Sequence, residues 1–216
     1  MFKKKHIQEY IPKLPTGDLI KRTRIVVIDD DKNTFPIDVL SRQGYSIDYW
    51  PDIDDLPKLE RGFYDIIILD IVGIGHELDK ENEGVAVLRH LKNINPSQII
   101  VAYSGQSHES SRIPFFKLAD QYVPKPTPAI TWKEIIDDLI TNKLTLIHYW
   151  SSLSSMLKNN GATNRQIKKI EYEFIKAAKG RKIQLKETVT HILGPIENIA
   201  TILSIGTKIV AFFGVG

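Results

Sequence analysis

The chain has no cysteine. That removes disulfide frameworks and cysteine-ligated zinc sites from consideration, and it accords with a cytoplasmic protein. There is no internal repeat and no low-complexity tract. The N-terminal MFKKKHIQEYIPKLP is basic, but no apolar core follows its lysines, so it does not read as a secretory signal. His76 and His108 have no metal-ligand spacing and read as solvated loop histidines. What is present is ordinary for a globular protein: 216 residues, 42% hydrophobic and 25% charged, enough for one domain plus something smaller.

The net charge of +3 conceals an asymmetry. Residues 1–138 carry 18 Lys and Arg against 22 Asp and Glu, and residues 139–216 carry 11 against 4, so balances of −4 and +7 make up the total. Such a split points to two parts with different tasks, the basic one able to face nucleic acid, an anionic membrane or an acidic partner.

The stretch YDIIILDIVGIG organises the first part. Ile66 to Leu69 form an unbroken apolar run that ends on Asp70. A short continuous run of this kind suits a strand buried on both faces of a parallel sheet. RIVVIDDD is a second such strand, Arg24 to Ile28, ending in three aspartates. YSIDYW, SQIIVAYSG and QYVPKP read as three more. Between them lie helical patterns: Phe35–Gln43, stopped by Gly44; a weak acidic helix or loop in PDIDDLPKLERG; Gly84–Asn93; HESSRIPFFKLAD; and an amphipathic helix from Pro128. Five strands alternating with helices, joined by right-handed crossovers, predict an α/β fold with a doubly wound five-stranded parallel sheet, flavodoxin-like in its order 2-1-3-4-5.

In such a sheet the strand carboxyl ends share one edge. That edge collects Asp29 and Asp30, Asp70, Ser104 and Lys125. Three carboxylates there repel unless a cation lies between them, and an oxygen-only set favours Mg2+. A carboxylate beside Mg2+ and a lysine can attack a phosphoryl group, while a serine hydroxyl donates a hydrogen bond. Asp31 reads as a helix cap.

The ordered set VVIDDD, IIILD, VAYSG and YVPKP resembles the receiver domain of two-component response regulators over roughly residues 24–142. The resemblance implies that Asp70 is the phosphoacceptor. It gives Asp29 and Asp30 as the acidic pair, Asp30 being the direct Mg2+ ligand, and adds the backbone carbonyl of Val72 as a further ligand. Ser104 stands at the family's Thr/Ser position and Lys125 at its invariant lysine, with a cis bond to Pro126. Tyr122 is the aromatic switch. The expected partner is a histidine kinase or phosphotransfer protein, and the domain is no enzyme beyond its own phosphorylation and dephosphorylation. Two departures stand out. No proline follows Asp70, and Gly84 arrives late, leaving an acidic loop over residues 75–83. Gly105 occupies a place where the family prefers alanine.

Residues 1–23 read as an N-terminal arm and residues 143–216 as a helical output or interaction region. TNRQIKKIEYEFIKAAKG is helical, capped by Thr163 or Asn164 and ended by Gly180, and another pattern runs through Leu185, Val189, Ile192 and Leu193. The basic helix faintly resembles a helix-turn-helix recognition helix but reads better as core. The apolar end, Ile199 to Gly216, reads as a buried or self-associating helix, with membrane contact as the alternative. The expected output is protein–protein interaction or dimerisation, with DNA binding through the +7 region second. The rival readings are a receiver that works without phosphorylation and a haloacid dehalogenase-type phosphatase. For the latter, Asn33 stands where a threonine or valine is expected.

Overall fold

The computed structural model describes residues 6–10, 16–105, 117–181, 184–196 and 198–213. It divides into two compact units, Pro15–Leu144 and the pair of segments Met1–Leu14 and Thr145–Gly216. The helix expected over HESSRIPFFKLAD falls largely outside the described residues.

The larger unit is built on strands β1 (Arg24–Ile28), β2 (Ser46–Trp50), β3 (Ile66–Asp70), β4 (Ile99–Ser104) and β5 (Gln121–Pro124). All neighbouring pairs are parallel, in the order β2-β1-β3-β4-β5. This is the flavodoxin-like arrangement. Its central strands explain why the apolar runs are continuous: Ile25 to Ile28, Ile66 to Leu69 and Ile99 to Tyr103 have no exposed surface. Alternate residues face opposite layers. Val26, Ile28, Ile67, Leu69, Ile100 and Ala102 join a core with Leu59, Val85, Leu88 and Leu91.

The helices of this unit are α1 (Thr16–Arg22), α2 (Ile37–Ser41), α3 (Leu56–Glu60), α4 (Glu83–Ile94) and α5 (Ala129–Asp138), the last running into a π turn, Leu139–Lys143. α2 is shorter than the helix expected over Phe35–Gln43. The reason lies before it: Asp31 caps a 3-10 turn, Lys32–Thr34, by accepting the Asn33 N–H at 2.9 Å, and Phe35 leaves that turn extended. Phe35 then packs 4.7 Å from Trp132, which lies 5.0 Å from Tyr103, so one aromatic cluster joins α2's entry, α5 and β4.

The smaller unit consists of α6 (Leu146–Asn159), α7 (Asn164–Ala177), α8 (Leu185–Leu193), α9 (Ile199–Ala211) and the turn Ile7–Glu9. α7 opens on a full capping box, in which Thr163 and Gln166 each bond the other's backbone N–H. Its apolar side, Ile170, Phe174 and Ala177, is buried. Glu171 is buried too, and it accepts the Ile7 N–H at 3.0 Å. The apolar C-terminal helix is core: Ile202, Ile205 and Ile209 are buried, and a Cβ at Gly206 would lie 2.2 Å from Leu185 and 3.3 Å from Phe174. No helix among the described residues is long and apolar enough to cross a membrane.

Candidate functional site

The ends of β1, β3, β4 and β5 bring polar side chains to a common edge. Asp29 follows β1 and is 1% exposed, so its carboxylate needs partners. Oδ1 accepts the Asp31 N–H at 3.0 Å. Oδ2 accepts the Thr34 hydroxyl at 2.7 Å and lies 2.5 Å from Lys125 Nζ. The hydroxyl of Tyr49 donates to the Asp29 carbonyl at 2.6 Å. Asp30, next in the chain, is exposed. Asp70 ends β3 and is nearly buried. Its Oδ1 accepts the Val72 N–H at 3.1 Å and its Oδ2 receives Lys125 Nζ at 2.6 Å.

Oxygens of Asp29, Asp30 and Asp70 come within 4.8 Å of one another. This is the only such group among the described residues. Hard oxygen ligands, two held by neighbouring backbone and one open to solvent, fit a small divalent cation such as Mg2+, which keeps part of its water. Val72 presents its N–H to Asp70.

Charge is finely balanced at this edge. Burial pushes the Asp70 carboxyl above its ordinary range and Asp29 adds to the push, while Lys125 and the Val72 N–H pull it back without cancelling the rise. Burial also works against the Lys125 charge, but its hydrogen bonds to Asp29 and Asp70 outweigh that and raise its pKa. Lys125 is therefore a firmly held ammonium shared between two carboxylates. The Lys125–Pro126 bond is cis.

Ser104 ends β4, 1% exposed, one residue beyond the Asp70–Tyr103 register pair. Its carbonyl accepts the Lys125 N–H at 3.0 Å and the Tyr122 hydroxyl at 3.2 Å. Tyr122 is half-buried against the core and tied to Ser104. The fold thus gathers Asp29, Asp30, Asp70 and Lys125 directly and sets Ser104 and Tyr122 on the adjoining strands.

Carboxylates bonded to backbone N–H groups tie down the acidic loop and the residues that lead into it. Glu83 Oε2 accepts the Gly73 N–H at 3.1 Å, and Asp52 Oδ1 accepts the Gly75 N–H at 2.6 Å. Asp79 accepts the backbone N–H groups of Glu81 and Asn82, and the Asn82 contacts hold its pKa low. His76 is exposed, 3.7 Å from Glu83. His108 lies outside the described residues. The loop returns to the sheet at Gly84, where a Cβ would stand 2.3 Å from the Asp70 carbonyl oxygen and 2.9 Å from Ile71 Cα. Helix α4 therefore starts directly against the backbone that carries Asp70.

Three contributors escaped the reading of the sequence. Thr34 precedes a helical pattern, Tyr49 is one member of the YSIDYW strand, and Tyr103 lies within the SQIIVAYSG strand, and none of these local settings points to the site. Tyr103 sends its hydroxyl to the Thr34 carbonyl at 2.6 Å, and Lys125 Nζ lies 4.9 Å from the centre of its ring. These links form only when the 3-10 turn folds back over the strand ends.

Solved structures similar to this chain are response regulator receiver domains. One from Methanospirillum hungatei is 21% identical, with 56% of this chain and 95% of that chain covered and a TM-score of 0.47. A two-component response regulator from Clostridium difficile is 21% identical over 57% of this chain and 98% of its own, also at 0.47. The response regulator TrrA from Thermotoga maritima, in complex with Mg2+ and BeF, is 27% identical over 54% and 98%, at 0.42. No protein-family model and no curated protein matches the chain.

Proposed function

We propose that this protein is a response regulator whose Asp70 accepts a phosphoryl group and whose helical C-terminal region responds. The observation that carries the reading is the convergence of three carboxylates and one shared ammonium around a nearly buried Asp70. A fold needs no such arrangement for stability, since buried like charges oppose it.

Asp29, Asp30, Asp70 and the Val72 carbonyl would hold Mg2+. When bound, the ion neutralises charge on phosphoryl oxygens and lets the acidic set lie close together. A carboxylate oxygen of Asp70 attacks phosphorus, the bond from phosphorus to the donor nitrogen or oxygen breaks, and the donor leaves with the electron pair and takes up a proton. Lys125, held by Asp29, turns from Asp70 to a phosphoryl oxygen and offsets its charge. The Ser104 hydroxyl donates a hydrogen bond to the same group, and Tyr122 follows Ser104 through their contact. That alters the β4–β5–α5 face, a local charge event read by a larger element. Hydrolysis of the acyl phosphate restores the resting state. The donor in this reading is a histidine kinase or phosphotransfer protein in the cytoplasm, and the output is a protein contact or a homodimer.

Incubation with a small phosphodonor and Mg2+, followed by intact-mass measurement, tests the reading. A single phosphoryl adduct, dependent on Mg2+ and lost in Asp70→Asn, supports it. No adduct on the native chain indicates a receiver that works without phosphorylation. Continuous turnover of phosphate esters that needs Asp29 indicates a phosphatase.

A further inference from the structure

A groove lies in the smaller unit, on the motif TNRQIKKIEYEF. Because Ile170, Phe174 and Ala177 turn one side of α7 inward, the helical period puts Arg165, Lys168 and Lys169 on the outside, at i, i+3 and i+4. All three are exposed, and none forms an ion pair among the described residues. Tyr172 continues the row and is 56% exposed. These side chains line a groove of about 590 Å³ whose other wall is α8, with Thr188 and His191. The walls are fixed to each other, since Gln166 Nε2 donates to the Ile192 carbonyl at 2.8 Å and Gln166 is itself locked in the capping box. The one acid among the described lining residues, Glu173, is neutralised by Lys176 at 2.6 Å.

We propose that this groove binds a single strand of nucleic acid. Three unpaired cations in a row supply sequence-independent attraction for successive phosphates. Lys176 Nζ lies over one face of the exposed Tyr172 ring, 4.8 Å from its centre, and the opposite face is the one on which a base would stack, the combination that single-strand binding uses. A duplex is disfavoured by shape. A helix that reads the major groove must project into it, whereas the basic row of α7 lies in a concavity shared with α8. A membrane surface is disfavoured because, among the described residues, the only aliphatic lining residue is Ile192, which is half-buried.

The test measures binding of the full chain to a labelled single-stranded oligonucleotide of about ten nucleotides across a salt series. A matching duplex, a poly-glutamate peptide and phosphatidylserine vesicles serve as competitors. With three phosphate contacts the log–log salt slope should be about −2. The double variant Lys168→Glu/Lys169→Glu should weaken binding at least about tenfold and flatten the slope by more than about 1. Tyr172→Ala should weaken it with the slope unchanged. A control with the same net charge, Lys158→Glu/Lys179→Glu, reverses exposed lysines of the same unit outside the groove and should leave affinity nearly unchanged. An equal loss in the control, an unaffected Tyr172→Ala, tighter binding of duplex, peptide or vesicle, or no binding at low salt would each overturn the proposal. If the lysine variants melt early, Tyr172→Ala alone decides.

Discussion

Gly84 lies against the Asp70 carbonyl and Gly105 beside Lys125, and the same change to alanine should be costly at the first position and harmless at the second. At Gly84 the added methyl would stand 2.3 Å from the Asp70 carbonyl oxygen and 2.9 Å from Ile71 Cα, both backbone. Contacts that short need α4 and the strand end to separate by about 1 Å, since neither neighbour is a side chain that can turn away. Overpacking costs about 1–3 kcal/mol, and rigid backbone on both sides puts this case near the upper end. Helix propensity returns at most about 1 kcal/mol, because alanine replaces glycine in a helix. The balance is a loss of about 2 kcal/mol, which lowers Tm by about 4–8 °C in a chain of this size. The displaced atoms carry Asp70 and lead to Val72, so Mg2+ affinity and adduct formation should fall with stability. Among the described residues a Cβ at Gly105 meets only Lys125 Cβ, at an ordinary 3.8 Å, and φ lies outside the left-handed region. Gly105→Ala should therefore leave Tm and Mg2+ affinity as they are. Calorimetry and metal titration of both variants check this. A Gly84→Ala protein as stable as the native chain, with unchanged Mg2+ affinity, would refute the reasoning.

Asp70 holds its proton more tightly folded than unfolded. Without metal its ionised form therefore opposes folding at neutral pH, and stability from this group rises as pH falls through the raised pKa. Asp70→Asn should be more stable than the native chain in chelator by urea unfolding and should lack that component of the pH dependence. Mg2+ at ten times its Kd should add about 1.4 kcal/mol to the native chain and less to the variant. Lys125 behaves in the opposite sense. Its raised pKa gives a stabilisation complete below its ordinary 10.5 and lost as pH climbs through the higher folded value. Lys125→Met should destabilise the metal-free protein below that pH, make its stability depend more on Mg2+, and abolish the adduct in the mass assay. Thr34→Val removes the 2.7 Å donor to the buried Asp29 carboxylate. A loss of about 1–3 kcal/mol is expected, together with weaker Mg2+ binding by calorimetric titration.

Much of this molecule is local enough to be legible in its residues. The runs at Ile25, Ile66 and Ile99 are apolar on both sides because both sides are buried, and that pattern needs no knowledge of the rest. Handedness rules then order the strands, and ordered parallel strands bring Asp29, Asp70 and Lys125 to one edge however far apart they stand in the chain. Thr163 and Asp31 announce themselves as caps because a cap bonds two or three residues away. The helix Leu146–Asn159 was less legible. Its sequence mixes serines with aromatic residues, and Tyr149, Trp150 and Leu153 become a buried side only when neighbours cover them.

The tertiary structure alone decided the finer points of the site. Thr34 reaches Asp29, Tyr103 reaches Thr34, and α4 begins against the Asp70 carbonyl, all through contacts between segments whose separation carries no period. The same holds for Ile7, whose N–H crosses 164 positions to Glu171. The aspartates and the lysine could be named from the sequence because a strand end is a place that a local pattern defines. How tightly they are gripped is set by packing between distant segments, which no local pattern encodes.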